Sequence, residues 1–351
     1  MTLAAILRHL AFAAGIALVS ALVVRAMINA RVMDLPNHRS AHAVPMPRGG
    51  GMGIVVGFLV GIAVLYGFAS FARLADPYFR AVILASIAIA VVGFIDDLRD
   101  WPFTVKLAAQ VAAALAAVGS GLFIEMFRVP GIGPVDVGWL AGGAITVGWI
   151  LFATNAMNFI DGLNGLAAGT ALVASVFLAV IAAVQGGWFV YFAALLLAAG
   201  IAGFLPFNFP RARIFMGDVG SQFCGFVLAV LGVAASRFDK VELSFLLVPM
   251  LLSGVLYDVA FTLVRRALAG ERLAQAHRGH LYQVAQRSGM DARRVAEAHW
   301  GFAALGGLAC LGFIAAPSWL KPLWPFALLV PQLAWTIFVA ARARRAGIGR
   351  W

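Results

Sequence analysis

The stretch Pro206-Phe-Asn-Phe-Pro-Arg-Ala-Arg-Ile-Phe-Met-Gly-Asp-Val-Gly-Ser221 decides how this chain is read. It separates two long apolar runs, 188–204 and 219–235, and breaks the hydrophobicity with two prolines, two arginines, two glycines and one acid. Asp218 is the only carboxylate between Asp161 and Asp239. An ionisable group that close to hydrocarbon is costly and marks a functional site, unless it simply caps the next helix. The sequence supports both readings. Gly217 and Gly220 let backbone approach a ligand closely. The helix expected from Val219 onward could hold an anion or a metal-bound phosphate at its start.

Outward from this stretch the chain stays apolar. Of its 351 residues 63% are hydrophobic, and the mean hydropathy is +0.95. Soluble domains are about half apolar, so the composition implies an all-α, polytopic membrane protein. A span takes roughly 20 residues. About eleven fit, near 3–24, 50–69, 80–95, 106–123, 138–157, 166–184, 188–204, 219–235, 244–264, 296–315 and 323–341. The loops between them are too short for a soluble domain, so 1–351 reads as one transmembrane domain. The short runs 80–95 and 188–204 suggest tilted or broken spans. The first run is read as an uncleaved span rather than a signal peptide. Cys224 and Cys310 lie in apolar runs and read as small core residues. The net charge of +11 would suggest nucleic acid in a soluble protein. In this one, orientation signals and anionic lipid or substrate account for it, and no nucleic-acid partner is expected.

Arginine and lysine crowd one set of loops, from Arg25 through Arg48, Arg99, Lys106, Arg211 and Arg265–Arg294 to the tail. That set is expected to be cytoplasmic, with the N-terminus outside and the C-terminus inside. Asp34, Asp96, Asp97, Asp100, Asp161 and Asp218 fall on the same face, with His38, His42, His277 and His280. Such convergence points to a site at the cytoplasmic surface. A transporter would place charges at mid-membrane. Only Asp258 does so, about two turns inside the run 244–264.

Four stretches carry candidate chemistry. Asn37-His-Arg-Ser-Ala-His-Ala-Val-Pro-Met-Pro-Arg-Gly-Gly-Gly51 sets glycine-rich backbone beside Arg39 and Arg48, which suits phosphate. The aspartates of Gly93-Phe-Ile-Asp-Asp97 repel each other unless a cation or a shared proton is near. They also sit at the helix end that disfavours acids. In Asn155-Ala-Met-Asn-Phe-Ile-Asp-Gly-Leu-Asn-Gly165, a helix would put Asn155, Asn158 and Asp161 near one face, as hard oxygen ligands for magnesium or a nucleobase edge. His277-Arg-Gly-His-Leu-Tyr-Gln283 could hold a diphosphate or move a proton. Each stretch alone is also explained by capping, anchoring or solvation.

Together, in this order, they resemble the polyprenyl-phosphate N-acetylhexosamine-1-phosphate transferases. These enzymes start O-antigen, teichoic acid and peptidoglycan lipid intermediates. The matching pieces are Asp34-Leu-Pro-Asn-His-Arg-Ser with Pro47–Gly51, Asp96-Asp97 with Lys106, Asn155–Gly165, and Phe215–Ser221. The resemblance implies a bacterial inner-membrane enzyme that takes a UDP-sugar and undecaprenyl phosphate in the bilayer. A homodimer is compatible with it. It implies magnesium, replaceable by manganese, at Asp218 and Asn158. Asp96 and Asp97 would sit by the lipid phosphate, one of them as base, with His280 as a further catalytic group. Arg39, Arg48, Lys106, Asn155, Asp161, Asn164, Asn208, Phe215, His277 and Arg278 would bind substrate. Two departures are visible. Asn164 stands where many members have a second aspartate. The histidine loop is His-Arg-x-His-x-Tyr-Gln rather than His-x-His-His, which resembles the branch that starts O-antigen on a modified sugar such as N-acetylfucosamine or N-acetylquinovosamine. It also argues against the peptidoglycan member. A lipid-linked-sugar transporter is the reading from another class.

Overall fold

The computed structural model describes residues 2–34, 44–68, 77–129, 133–237, 243–272, 277–349 and 351. Helix α1 spans Leu3–Ala30, and the strands β1 (Met33–Asp34) and β2 (Met46–Pro47) pair antiparallel just before α2, Gly51–Phe68. Then come α3 (Pro77–Arg99), α4 (Phe103–Gly119), the antiparallel pair β3 (Met126–Val129) and β4 (Gly133–Asp136), and α5, Gly138–Phe159. The central helices are α6 (Leu166–Gln185), α7 (Trp188–Asn208) and α8, Gly217–Ala235. Next are α9 (Leu247–Leu251), α10 (Ser253–Leu268) and the short α11, Leu281–Arg287. The chain closes with α12 (Ala292–Ala315), α13 (Leu323–Ala327) and α14, Leu329–Arg345.

Among the described residues nine helical stretches are long and apolar enough to cross a membrane. The runs expected at 106–123 and 244–264 are the shorter α4 and the pair α9–α10, which breaks at Leu252. The final span is likewise divided, at Leu328. The two runs expected to be short are not short. Helix α3 has 23 residues, continuing past both ends of its run through 77–79 and 96–99, and α7 has 21, continuing through 205–208.

The bundle is arranged around α8, which packs on α2, α3, α5 and α7. Nearly every α8 residue is buried, from Val219 to Ala235. Close approach is made possible by glycines on the neighbours. A Cβ on Gly51 would collide with the Gly220 backbone, and one on Gly93 would come within 2.8 Å of the Val219 backbone. The first turn of α8 is therefore clasped between α2 and α3. Dispersion contacts at such spacing replace the hydrophobic drive that lipid does not supply.

Candidate active site

The start of α8, the C-terminal ends of α3, α5 and α7, and the start of α4 meet at one end of the bundle. There they border a cleft of about 380 Å³ lined by Arg48, Asp97, Asn158, Asp161, Asn208 and Asp218, among others. The Asp218 carboxylate accepts hydrogen bonds from Lys106 Nζ at 2.9 Å, Asn158 Nδ2 at 3.0 Å and Gln222 Nε2 at 2.8 Å. Lys106 Nζ also donates to Asp96 at 2.9 Å, so one ammonium bridges two acids. Behind this layer Gln222 accepts from Gln110 at 2.9 Å, and Gln110 in turn holds Asn155.

The adjacent aspartates have separate jobs. Asp96 turns away from the cleft and accepts from Lys106 and from the Trp101 amide at 2.8 Å. Asp97 faces the cleft and accepts from the amides of Asp218 at 2.9 Å and Val219 at 3.3 Å. Those amides open α8 and lack helical partners, so Asp97 satisfies them from another helix. Gly217 (φ +75°) is needed beside it, since a Cβ there would collide with the Asp97 carboxylate. The sequence reading had Gly217 and Gly220 making room for a ligand. In the structure that room is taken by Asp97 and by α2.

Asp161 lies in the turn after α5 and lines the cleft. Burial, then Asp218 and Asp97, push its carboxyl well above the usual range. Basic residues share the lining: Arg278 and Arg287 border the same cleft. Arg48 donates to Asp100 at 3.2 Å, while its buried Nε has no hydrogen-bond partner among the described residues.

Asn164, Asn208 and Phe215, expected as binders, line the cleft and also brace it. Asn208 is buried, accepts from the Gly165 amide at 2.7 Å and donates to the Ile214 carbonyl at 2.9 Å, tying two loops together at the cleft edge. Asn164 donates to the Pro210 carbonyl at 3.4 Å. Phe215 lines the cleft, and its backbone is stitched to Pro47 and Gly50. The Gly50 and Gly51 amides bond to Phe215 and Met216, so they serve a chain crossing rather than a phosphate. Lys106, Asn155 and Asp96 stand in the layer behind the cleft lining. Arg39, with His38 and His42, lies outside the described residues.

The histidine loop stands apart from the other expected site residues. His280 is buried and absent from the cleft lining. Its Nδ1 lies 3.2 Å from Asp258, so the catalytic group expected at this position is paired with a buried acid on α10. His277 also stands off the cleft, its ring 4.9 Å from that of His280. The loop instead delivers α11, whose Gln283, Gln286 and Arg287 line the cleft. Sequence reasoning passed over Gln286. It also noted Asp258 only as an exception, although an acid inside a span shortly before a polar loop was the signal.

Fold and site together define a polytopic helical protein with an acidic, basic-rimmed cleft where its helices end. The glycosyl transferase family 4 profile matches residues 79–236, which include α3 to α8. A Bacillus subtilis protein named as a probable undecaprenyl-phosphate N-acetylglucosaminyl 1-phosphate transferase is 32% identical over 278 residues, 79% of this chain and 75% of the relative. The decaprenyl-phosphate N-acetylglucosaminephosphotransferase of Mycobacterium tuberculosis is 31% identical over 283 residues, 74% of this chain and 70% of the relative. A phospho-N-acetylmuramoyl-pentapeptide-transferase from Desulforudis audaxviator is 36% identical over 186 residues, 48% of this chain and 54% of the relative. The chain belongs to the polyprenyl-phosphate N-acetylhexosamine-1-phosphate transferases of glycosyl transferase family 4.

Proposed function

We propose that this protein moves an N-acetylhexosamine 1-phosphate from a UDP-sugar to undecaprenyl phosphate at the cytoplasmic face of a bacterial inner membrane, beginning an O-antigen-type lipid-linked glycan. The observation that carries the reading is the cleft itself. Asp97, Asp161 and Asp218 line, together with Arg48, Arg278 and Arg287, a cleft of about 380 Å³ at the ends of apolar helices. A lipid phosphate can enter from the bilayer side while a nucleotide sugar arrives from water.

In the reaction, an oxygen of the lipid phosphate forms a bond to the β-phosphorus, the bond to the α,β-bridging oxygen breaks, and UMP leaves with that electron pair. Both reactants are anionic, so positioning and charge compensation supply most of the catalysis. Asp97, the cleft-facing member of its pair, is the group to meet the lipid phosphate and take its proton. Arg48, Arg278 and Arg287 hold phosphate oxygens. Lys106 keeps Asp96 and Asp218 together and fixes their orientation.

The donor set fits magnesium. Among the described residues no three His, Cys, Asp or Glu side chains form a metal cluster, but magnesium commonly takes one or two carboxylates and completes its shell with water and substrate phosphates. Asp218 and Asp161 supply two carboxylates and Asn158 an amide oxygen. The ion would neutralise charge on the diphosphate as it develops.

The sequence of the 277–283 loop favours a modified N-acetylhexosamine, whereas the names of the relatives favour N-acetylglucosamine. The peptidoglycan donor is the second reading, supported by the similarity to a pentapeptide transferase. UMP release by purified protein with undecaprenyl phosphate, across a panel of UDP-sugars with and without chelator, separates these. Magnesium-dependent release with one N-acetylhexosamine donor is the expected result. Release only with the muramoyl-pentapeptide donor would select the second reading, and silence from folded protein would sink both.

A further inference from the structure

We infer that Asp258 is a positioning residue for the donor side of the cleft, acting through the start of α11. Its carboxylate is buried on α10, 1% exposed. It accepts hydrogen bonds from the amides of Leu281 at 2.9 Å and Tyr282 at 3.0 Å. These are the first two residues of α11, and their amides have no partner within it. His280 Nδ1 stands 3.2 Å away, the Thr262 hydroxyl donates at 3.3 Å, and His299 Nε2 of α12 lies 3.9 Å off. The acid is thus engaged through both oxygens by the segment it holds, and its burial keeps it from the cleft.

What it holds reaches the cleft in two ways. Gln283, Gln286 and Arg287 of α11 line it directly. The Tyr282 hydroxyl donates to the Phe159 carbonyl at 2.9 Å, and a Cβ on Gly162 would strike that hydroxyl. Tyr282 therefore clamps the turn carrying Asp161. Two arginines at the end of α10 finish the brace. Arg265 donates to the Gly279 carbonyl at 3.1 Å, and Arg266 to Glu271 at 2.7 Å and to the Arg272 carbonyl at 2.8 Å. One helix thus fixes the wall on which Gln286 and Arg287 are carried. Among the described residues no such link runs from Asp258 to Asp97 or Lys106, on the α3–α4 side of the cleft. Removal of the carboxylate is therefore felt by the donor and not by the lipid phosphate.

The kinetic half of this inference rests on the transferase reading, while the structural half does not. In Asp258→Asn the amide NH₂ would point a donor at donors and leave buried amides unsatisfied, which is expensive. The test uses the full chain in nanodiscs, with Asp258→Asn and the milder Tyr282→Phe, which keeps the ring and loses the Phe159 contact. The KM for the UDP-sugar should rise about tenfold in the first and about threefold in the second, following loss of one to two buried hydrogen bonds. The KM for undecaprenyl phosphate should stay within about twofold in both. Amide exchange across 281–287 should quicken in Asp258→Asn. Equal rises in both KM values, or a fall in kcat with donor KM unchanged, would reduce Asp258 to a general fold-holder and overturn the inference. Should Asp258→Asn fail to fold, the Tyr282→Phe ratio decides alone. If wild-type protein turns over no donor, the transferase reading fails, and exchange in 281–287 still decides the positioning.

Discussion

Asp218 and Asp258 are both aspartates at the functional end of the bundle, the first half-buried and the second buried, and they are satisfied in opposite ways. Asp218 is met by side chains alone: a lysine shared with Asp96, and two amides. Each can shift or exchange its partner when a cation or phosphate arrives. Asp258 accepts from two backbone amides and flanks a histidine, all within one short segment. Backbone partners cannot leave without unravelling α11. A carboxylate that must react is held by movable groups, and one that must support is held by the main chain. Asp97 lies between these cases, since it faces the cleft while accepting two amides from α8. It can orient Asp218 and meet a substrate with the same group.

The largest expected effect breaks the reactive half. Asp218→Asn should lower UMP release by about 10³-fold or more, the scale for losing a metal-bound charge at a phosphoryl centre. The protein should still elute as a folded species in detergent. Near-normal turnover would mean that Asp218 is only a capping acid in the first turn of α8. Lys106→Met is the next test. It removes one ammonium from two acids, and breaking a buried pair leaves uncompensated charge. Turnover should fall about 10²-fold through misplacement of the reacting groups, and the melting temperature should drop. Added magnesium should recover part of that stability, because it supplies a cation where the ammonium was. No recovery, with the melting temperature unchanged by the substitution, would show that Lys106 does not compensate these acids. Both losses should exceed the shift from Asp258→Asn, which is confined to donor affinity. That ordering is the content of the comparison.

The sequence disclosed the reactive half better than the supporting half, for a physical reason. Asp96, Asp97, Asp161 and Asp218 sit where apolar runs end, so hydropathy and loop charge alone bring them to one side. Their convergence follows from the number of spans between them. The supporting contacts are tertiary and leave no local pattern. Asp258 caps a helix that begins 23 residues later, and Tyr282 clamps a carbonyl 123 residues earlier. Glycines misled for the same reason. Gly51, Gly217 and Gly220 looked like room for phosphate, but whether an absent Cβ admits a ligand or a neighbouring helix is decided by the neighbour. Histidine is ambiguous through its chemistry. It is the residue most often used for proton transfer near neutral pH, and its pattern in the sequence does not disclose that His280 is buried beside Asp258.

The smallest effect tests the supporting half at its edge. His277 lies before α11, and its Nδ1 accepts from the Gly279 amide at 3.1 Å. Burial, with His280, Arg266 and Arg265 nearby, lowers its pKa to about 4. An unfolded chain would bind that proton near pH 6.5. The folded state therefore binds it more weakly, and the neutral ring's stability is complete above about pH 6.5. It is lost progressively as pH falls toward 4. Protonation also turns Nδ1 from acceptor to donor and breaks the Gly279 contact. His277→Gln keeps an acceptor but does not titrate. Its melting temperature should fall less than that of wild type between pH 7.5 and 5, by about a degree or two on the usual scale for this size. An unchanged acid slope would place the acid sensitivity in the cleft rather than in the loop. The acids there are satisfied by side chains, so the pH response would then belong to the reactive half, and the division between the two aspartates would no longer extend to the loop edge.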